Sequence, residues 1–284
     1  MNHTDPFTRE NIAQGLLAAA DEMFYSWGRT SQSTIIYEVL DYACGLTDAE
    51  GRLIGQANGA TMFLGAITFS AKAILRKFGR ENIKPGDMFL TNDPFTGAGT
   101  HLCDVAAVLP IFHEGELVSF AVNKGHWNEI GGKNLGSWST DACEIFQEGL
   151  QLPDIRIYDG GKFNESVRDI IAANSRTPDM TLGDLYAQTA SLRIAEARVL
   201  ELFTKYGKDA VLESMAFILE NGRKTALLEL EKLPKGAFEA EDLLDTEANG
   251  VPDIPVKVRV TITDEELILD FTGTGDAVFA PINC

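Results

Sequence analysis

The spacing of apolar residues changes along the chain between a helical period and a strand period, and this predicts an α+β fold. Helical spacing occupies residues 12–27, 62–78 and 181 to about 230, the last run being broken at Gly207. Strand-like alternation, rich in β-branched residues, occupies residues 35–46 with 53–55, 88–90, 105–112 with 117–122, and 256–271. The pattern therefore predicts mixed β-hairpins in a sheet, packed with long helices.

The order of these elements predicts three regions. Residues 1-180 form an α+β region that also holds the candidate site, residues 181-235 form two long helices packed as a hairpin, and residues 236-284 begin a β-rich region. The last strands lack partners that would bury their face, so we expect the chain to end within an incomplete β-structure.

Charge and composition exclude several classes of protein. A formal net charge of -18 repels a polyphosphate backbone, which excludes nucleic acid as a partner. No apolar run has the length that a bilayer requires, and the first residues lack the pattern of a signal peptide, so we expect a cytoplasmic protein without a membrane partner. The four cysteines form no C-x-x-C pair, which indicates reduced thiols.

The second predicted hairpin brings scarce histidines towards a carboxylate. Counting outward from its turn at residues 114–115 sets Asp104 opposite residue 124 or 125, next to His126. His101 precedes Asp104 by three residues, in the loop that enters the same end of the hairpin. We therefore expect both imidazoles and the Asp104 carboxylate to meet at this end.

Neutral imidazoles with a carboxylate are the ligands of a zinc, manganese or iron ion. The spacing leaves a second interpretation open, in which His101 and His126 cap strand ends and Asp104 accepts hydrogen bonds from loop amides. Glu129, three residues after His126, could act as a general base or as a supporting carboxylate.

Asp41 lies in the apolar run VLDYAC, where an unpaired carboxylate is costly to bury. A metal would satisfy it, and so would Arg52 or backbone amides. The residues alone favour such a structural partner.

Several motifs follow one another over most of the chain. They are YEVLDYACGLTDAEGRLIGQ, TNDP, GTHLCD, GHWNEIGG and DFTGTGDAVFAPINC. In this order they resemble the hydantoinase B/oxoprolinase family, which includes N-methylhydantoinase B-type subunits and related subunits of acetone and acetophenone carboxylases and of caprolactamase.

The resemblance implies a divalent metal bound by Asp41, His101, Asp104 and His126. Beside such a metal, we expect Glu129 or Asp104 to handle protons. The resemblance also implies a hydrolase that opens cyclic amides with ATP bound by a hydantoinase A-type partner, not by this chain, which agrees with the missing P-loop and dinucleotide fingerprint. Two alternatives are an ATP-dependent ketone carboxylase and a non-catalytic, truncated scaffold half. Because family members extend past the last motif, a further chain or segment is expected to complete the C-terminal half.

Overall fold

The computed structural model describes residues 4–96, 99–137, 139–245 and 253–282, and the chain divides into two compact units. One unit comprises Met1–Ser137 with Glu148–Ile218, and the other comprises Trp138–Gln147 with Leu219–Cys284. Helices and antiparallel sheets are both present, which confirms the predicted α+β class. The three-region division stays a prediction.

Helices and strands alternate irregularly along the chain. The helices are α1 (Pro6–Thr30), α2 (Thr34–Tyr37), α3 (Thr61–Phe78), α4 (Glu165–Asn174), α5 (Pro178–Tyr206) and α6 (Lys208–Glu231). The strands are β1 (Tyr42–Asp48), β2 (Leu53–Gln56), β3 (Met88–Thr91), β4 (Asp104–His113), β5 (Glu116–His126), β6 (Ile155–Asp159), β7 (Lys162–Phe163), β8 (Gly236–Leu244), β9 (Ile254–Ile262) and β10 (Leu267–Asp270).

A seven-stranded sheet forms the middle layer of the first unit, with strand order β2-β1-β5-β4-β3-β6-β7. One face packs against α3, and the other packs against α1 and α5. The core under α3 consists of interlocking apolar side chains, namely Ala43, Phe63, Ile67, Ala71, Ile74, Ile83, Phe89, Val108, Phe120 and Val122. α5 packs along α1, whereas the sequence led us to expect α5 to pack on the helix that follows it.

Local sequence signals explain the helix boundaries. The Asp5 carboxylate caps α1 by accepting hydrogen bonds from the amides of Phe7 (3.0 Å) and Thr8 (3.1 Å). Gly79, with φ of 72°, ends α3, and Gly207, with φ of 80°, separates α5 from α6. These boundaries agree with the predicted ones.

The prediction that the first hairpin begins with a strand at residue 35 was wrong. Residues 34–37 form the short helix α2, and β1 begins only at Tyr42. The Asp184 carboxylate of α5 accepts hydrogen bonds from the amides of Gln32 (2.7 Å) and Ser33 (3.2 Å) directly before α2. This tertiary contact fixes a helical turn where the β-branched residues favoured a strand.

The β4–β5 hairpin turns through Glu114 and Gly115, whose φ angles are 50° and 82°. Such a two-residue turn with two positive φ values matches the twist of the paired strands. A register shift after Ile111 adds one residue to β5, so that Asp104 lies opposite His126. The expected partner was residue 124 or 125, and the bulge accounts for the difference.

The second unit contains a three-stranded antiparallel sheet of order β10-β9-β8. The turn between β9 and β10 falls at residues 263–266, where the sequence predicted it, whereas β8 was not predicted. Its nine residues are all exposed. Within the described residues, no helix combines the length and apolarity needed to cross a membrane.

Gln188 ties α5 to the end of the hairpin that carries Asp104 and His126. Its side chain accepts a hydrogen bond from the Trp127 indole at 2.9 Å and donates one to the Val105 carbonyl at 3.0 Å. All three residues are buried. This contact holds both strands against α5 immediately beside the site.

Replacement of Gln188 by Leu should lower the free energy of unfolding by about 2–4 kcal/mol, because a buried indole N–H and a buried carbonyl lose their partners. Chemical denaturation measures the change. The matched control is Gln14→Leu. The Gln14 side chain is exposed and bonds to Glu10, so its loss should change stability by less than about 0.5 kcal/mol. Equal effects of the two variants would contradict the assigned role of Gln188.

Candidate metal centre

Three residues of the predicted ligand set lie side by side on neighbouring segments of the sheet. His126 ends β5, with Asp104 as its cross-strand partner on β4. On the other side, the His126 amide donates a 3.0 Å hydrogen bond to the Asp41 carbonyl, directly before β1. The backbone alone therefore brings two carboxylates to one imidazole.

His101 reaches the same place from the loop before β4. Its Nε2 atom lies 3.3 Å from Oδ1 of Asp104, and its ring centroid lies 5.1 Å from that of His126. The Thr100 hydroxyl donates a short hydrogen bond to Oδ2 of Asp104. The loop thus supplies one imidazole and orients the carboxylate.

Asn92 fixes the path of this loop. The side-chain Nδ2 atom of Asn92 donates to the carbonyls of Leu102 (2.7 Å) and Leu150 (2.9 Å). Its Oδ1 atom accepts a hydrogen bond from the Leu152 backbone amide (2.6 Å). The neighbouring Asp93 carboxylate accepts a hydrogen bond from the Phe95 amide at 2.8 Å, which is the geometry of an Asx-turn. The Asn-Asp-Pro motif therefore shapes the loop that presents His101.

Electrostatic coupling also links the four predicted ligands. Burial lowers the pKa of His126, and this is opposed by the charges of Asp104 and Asp41 and reinforced by that of His101. Burial raises the pKa of Asp41, while the two histidines lower it and Asp104 raises it further. Asp41, His101, Asp104 and His126 thus lie within range of one another's charge.

Two buried polar atoms of this group accept or donate no hydrogen bond among the described residues. They are Oδ1 of Asp104 and Nδ1 of His126, and the side chains are 1% and 8% exposed. Leaving such atoms unsatisfied is costly unless a ligand completes them. The donor set and these orphan atoms fit a divalent cation.

Structural alternatives for Asp41 find less support. Arg52, the other candidate partner, donates to Asp48 at 2.6 Å and lies 3.3 Å from Glu50. No hydrogen bond to the Asp41 carboxylate occurs within the described part of the chain. Asp41 itself is half-buried beside the two histidines.

Sequence reasoning missed two neighbours of this group. Donor atoms of His101, Cys103 and His126 all lie within 4.8 Å of one another, and burial raises the pKa of the Cys103 thiol to about 12. Burial raises the pKa of the Glu148 carboxyl, and the nearby charge of His101 lowers it in part. Cys103 stood next to Asp104 in the motif, whereas nothing in the sequence pointed to Glu148.

Glu129 lies in the loop after His126 and is 1% exposed. Its carboxylate accepts hydrogen bonds from the amides of Gly131 (2.8 Å) and Gly136 (2.9 Å) and from the Arg176 guanidinium (2.9 Å). Gly131 has φ of 90°. The carboxylate therefore holds the glycine-rich loop in shape.

Lys124 is fully buried on the same face as His126, two residues earlier on β5. Burial lowers the pKa of its ammonium to about 8, against the opposing charge of Asp104. Gly125, between them, points to the other face, where a Cβ atom would lie 2.7 Å from Trp27 and 2.6 Å from Tyr42. In the Gly-His pair of the motif, Gly125 is therefore needed for close packing against α1, and His126 is the candidate ligand.

Comparisons with known proteins agree with this architecture. The B-type subunit of a putative D-/L-hydantoinase from Pseudomonas sp. strain NS671 is 33% identical over 98% of this chain and 48% of its own length. The crystal structure of ATP-dependent caprolactamase from Pseudomonas jessenii superposes with a TM-score of 0.88 at 29% identity, covering 94% of this chain and 46% of that one. The chain spans about half the length of these relatives.

A nucleotide-free structure of acetone carboxylase shares the fold, with a TM-score of 0.87, 19% identity and coverage of 95% of this chain and 37% of that one. The family profile described as hydantoinase B/oxoprolinase matches residues 5–284. The predicted resemblance is confirmed, and the chain belongs to the hydantoinase B/oxoprolinase family.

Proposed function

We propose that this chain is the metal-binding subunit, or the N-terminal part of it, of an ATP-dependent enzyme that hydrolyses the C–N bond of a cyclic amide. The observation that carries the proposal is the convergence of Asp41, His101, Asp104 and His126, with two buried donor atoms left unsatisfied, in a member of this family. Zinc, manganese and iron are the candidate ions.

The chemistry of a bound divalent cation is polarisation of a carbonyl oxygen and activation of water near neutral pH. Asp104 is the first candidate for proton transfer, since its carboxylate lies within the cluster and its Oδ2 atom accepts a hydrogen bond from Thr100. Glu129 is the second candidate for proton transfer. The Glu129 carboxylate accepts four hydrogen bonds, and these support a second role in holding the conformation of its loop.

ATP would bind to a hydantoinase A-type partner, since the sequence carries no phosphate-binding loop. The caprolactamase relative is described as ATP-dependent, and the hydantoinase relative is described as a subunit. Both descriptions support a hetero-oligomer in which the partner uses ATP to activate the substrate and this chain opens the ring.

A further chain or segment would cover the second unit. Its sheet exposes many large apolar side chains, namely Phe238, Leu243, Leu244, Val256, Leu267, Ile268, Leu269 and Phe271. An apolar surface of this kind indicates an interaction site. The roughly twofold greater length of the relatives supports a further chain or segment as the covering element.

An ATP-dependent ketone carboxylase is the alternative, supported by the fold shared with acetone carboxylase. The same ligands and the same ATP-binding partner would serve it. The two functions differ in the co-substrate, which is water for hydrolysis and bicarbonate for carboxylation.

Removal of either histidine should abolish stoichiometric metal binding. We expect His101→Ala and His126→Ala to lower affinity by more than about tenfold, since even changes outside the ligand set cost 10–100-fold. Metal analysis after equilibrium dialysis gives the readout. His113→Ala is the control and should retain metal, because His113 ends β4 beside the hairpin turn and packs against Phe203. Unchanged metal content in both test variants would refute the centre.

The complex with a hydantoinase A-type partner should hydrolyse ATP faster when a cyclic amide is added, and bicarbonate should have no effect on this rate. The measurement is phosphate release from the copurified complex. Stimulation by bicarbonate with a ketone, and none by cyclic amides, would instead establish the carboxylase.

Replacement of Glu129 by Gln should lower the free energy of unfolding by about 1–3 kcal/mol, because amide groups of the loop and Arg176 lose a charged acceptor. The control is Glu50→Gln, whose carboxylate pairs with Arg80 at an exposed position and should matter little. Unfolding in urea compares the two. A Glu129 that served only in proton transfer would leave stability unchanged.

A further inference from the structure

We propose that the Lys124 ammonium and the Thr91 hydroxyl form an anion-binding subsite directly behind the candidate metal centre, and that this subsite holds an anionic oxygen of the substrate, from a carboxylate or a phosphoryl group. The inference rests on the proposed function and deepens it, since it names the chemical group that the substrate presents to this chain. Neither residue belongs to the proposed ligand set.

The pairing of the strands places both residues on the face of the sheet that α3 covers. Lys124 of β5 lies opposite Ala106 of β4, and Ala106 lies opposite Thr91 of β3. Val108 and Phe89, each two positions away, mark this face because they belong to the apolar core under α3. Lys124, Ala106 and Thr91 therefore form one row across three strands, the Lys124 row.

The Lys124 row lies next to the candidate ligands. Asp104 and His126 face each other on β4 and β5, two positions from Ala106 and Lys124. Residues two apart on one strand are separated by about 7 Å. One ligand oxygen at about 2 Å from a metal and another at about 2.8 Å from a donor leave roughly 2 Å between the two oxygens. This spacing fits two oxygens of one carboxylate or phosphate group.

The Thr91 hydroxyl is the observation that points to a ligand in the Lys124 row. Thr91 is 0% exposed, and its Oγ1 atom has no hydrogen-bond partner among the residues that the structure describes. Burial of a hydroxyl without a partner is costly, and valine would fill the same space without that cost. The hydroxyl is therefore positioned to donate to a bound molecule.

Lys124 supplies a positive charge on the same face. It is 0% exposed, and its Nζ atom lies 6.0 Å from the ring centre of Phe63, in the first turn of α3. The amino-terminal end of a helix carries partial positive charge, which adds to that of the ammonium. Ala106, which lies between Lys124 and Thr91, has only a methyl group and does not separate the two donors.

The charges of the centre favour an anion when a metal is bound. The negative charge of Asp104 acts on the Lys124 ammonium and offsets part of its charge. The same carboxylate is a candidate metal ligand, and its engagement there would weaken this compensation. Because a buried charge is costly unless it is paired, an anionic oxygen that reaches Lys124 would then be bound more strongly.

Equilibrium dialysis of labelled phosphate and labelled acetate tests the proposal on the chain loaded with whichever candidate ion it retains. We expect Thr91→Val to weaken anion binding about tenfold or more, because a hydrogen bond to a charged group is lost. Metal content should stay unchanged, and the free energy of unfolding should stay equal or rise, since an unsatisfied hydroxyl is removed. Lys124→Met, which keeps the length of the side chain, should weaken anion binding at least as much.

Thr47→Val is the matched control. Thr47 is also 0% exposed in a strand, but its hydroxyl donates to the Asp48 carbonyl at 3.0 Å, at the opposite end of β1 from Asp41. This variant should lose stability and keep anion binding, which is the reverse of Thr91→Val. Lys72→Met, at an exposed position of α3, controls for the loss of a charge and should change neither property.

Equal anion binding by Thr91→Val and by the unmodified chain would overturn the subsite. Absence of anion binding by a chain that retains metal would also overturn it, and the proposed function would still stand. Failure to retain any candidate ion would overturn the proposed function, and the subsite with it. Tighter binding of phosphate than of acetate would assign the subsite to a phosphoryl group, and the reverse order would assign it to a carboxylate.

Discussion

The pairing of β4 with β5 is the constraint on which the candidate centre depends. One bulge after Ile111 sets the register in which Asp104 lies opposite His126, and the same strand end receives Asp41 from the segment before β1. Because side chains alternate between the two faces of a sheet, a slip of one residue would place Gly125 opposite Asp104 and send the imidazole to the α1 face. The chemistry therefore depends on backbone hydrogen bonds more than on any contact between the side chains themselves.

The two buried carboxylates near the hairpin end, Asp104 and Glu129, differ in how they are satisfied. Glu129 accepts from two loop amides, the Ser137 hydroxyl and Arg176. Among the described residues, one oxygen of Asp104 accepts from Thr100 alone, and the other faces His101 without a hydrogen bond. A carboxylate with every acceptor site engaged stabilises its surroundings, and one with a free oxygen remains available for a ligand. Lys124, whose pKa is lowered to about 8 by burial, lies on the same face, and the charge of Asp104 favours its protonated form.

The sequence predicted the parts of the fold that depend on local patterns. Asp5, Gly79 and Gly207 marked helix ends because capping and positive φ are local properties, and the turn at Glu114 fixed the hairpin. The helix α2 was missed because it depends on Asp184, far away in the chain. In the candidate centre, residues close to the hairpin were found by counting, whereas Glu148 enters from a loop whose path no periodicity describes.

The second unit has a consequence for how the isolated chain behaves in solution. Strands β8 and β10 are the edges of a small sheet, and within the described residues each pairs only with β9. Such edges invite pairing between molecules, and the exposed apolar side chains beside them strengthen that tendency. The net charge of -18 opposes close approach of two copies. Ionic strength therefore governs colloidal stability. Added salt screens the repulsion between copies of the chain, and the exposed strand edges of two copies can then pair.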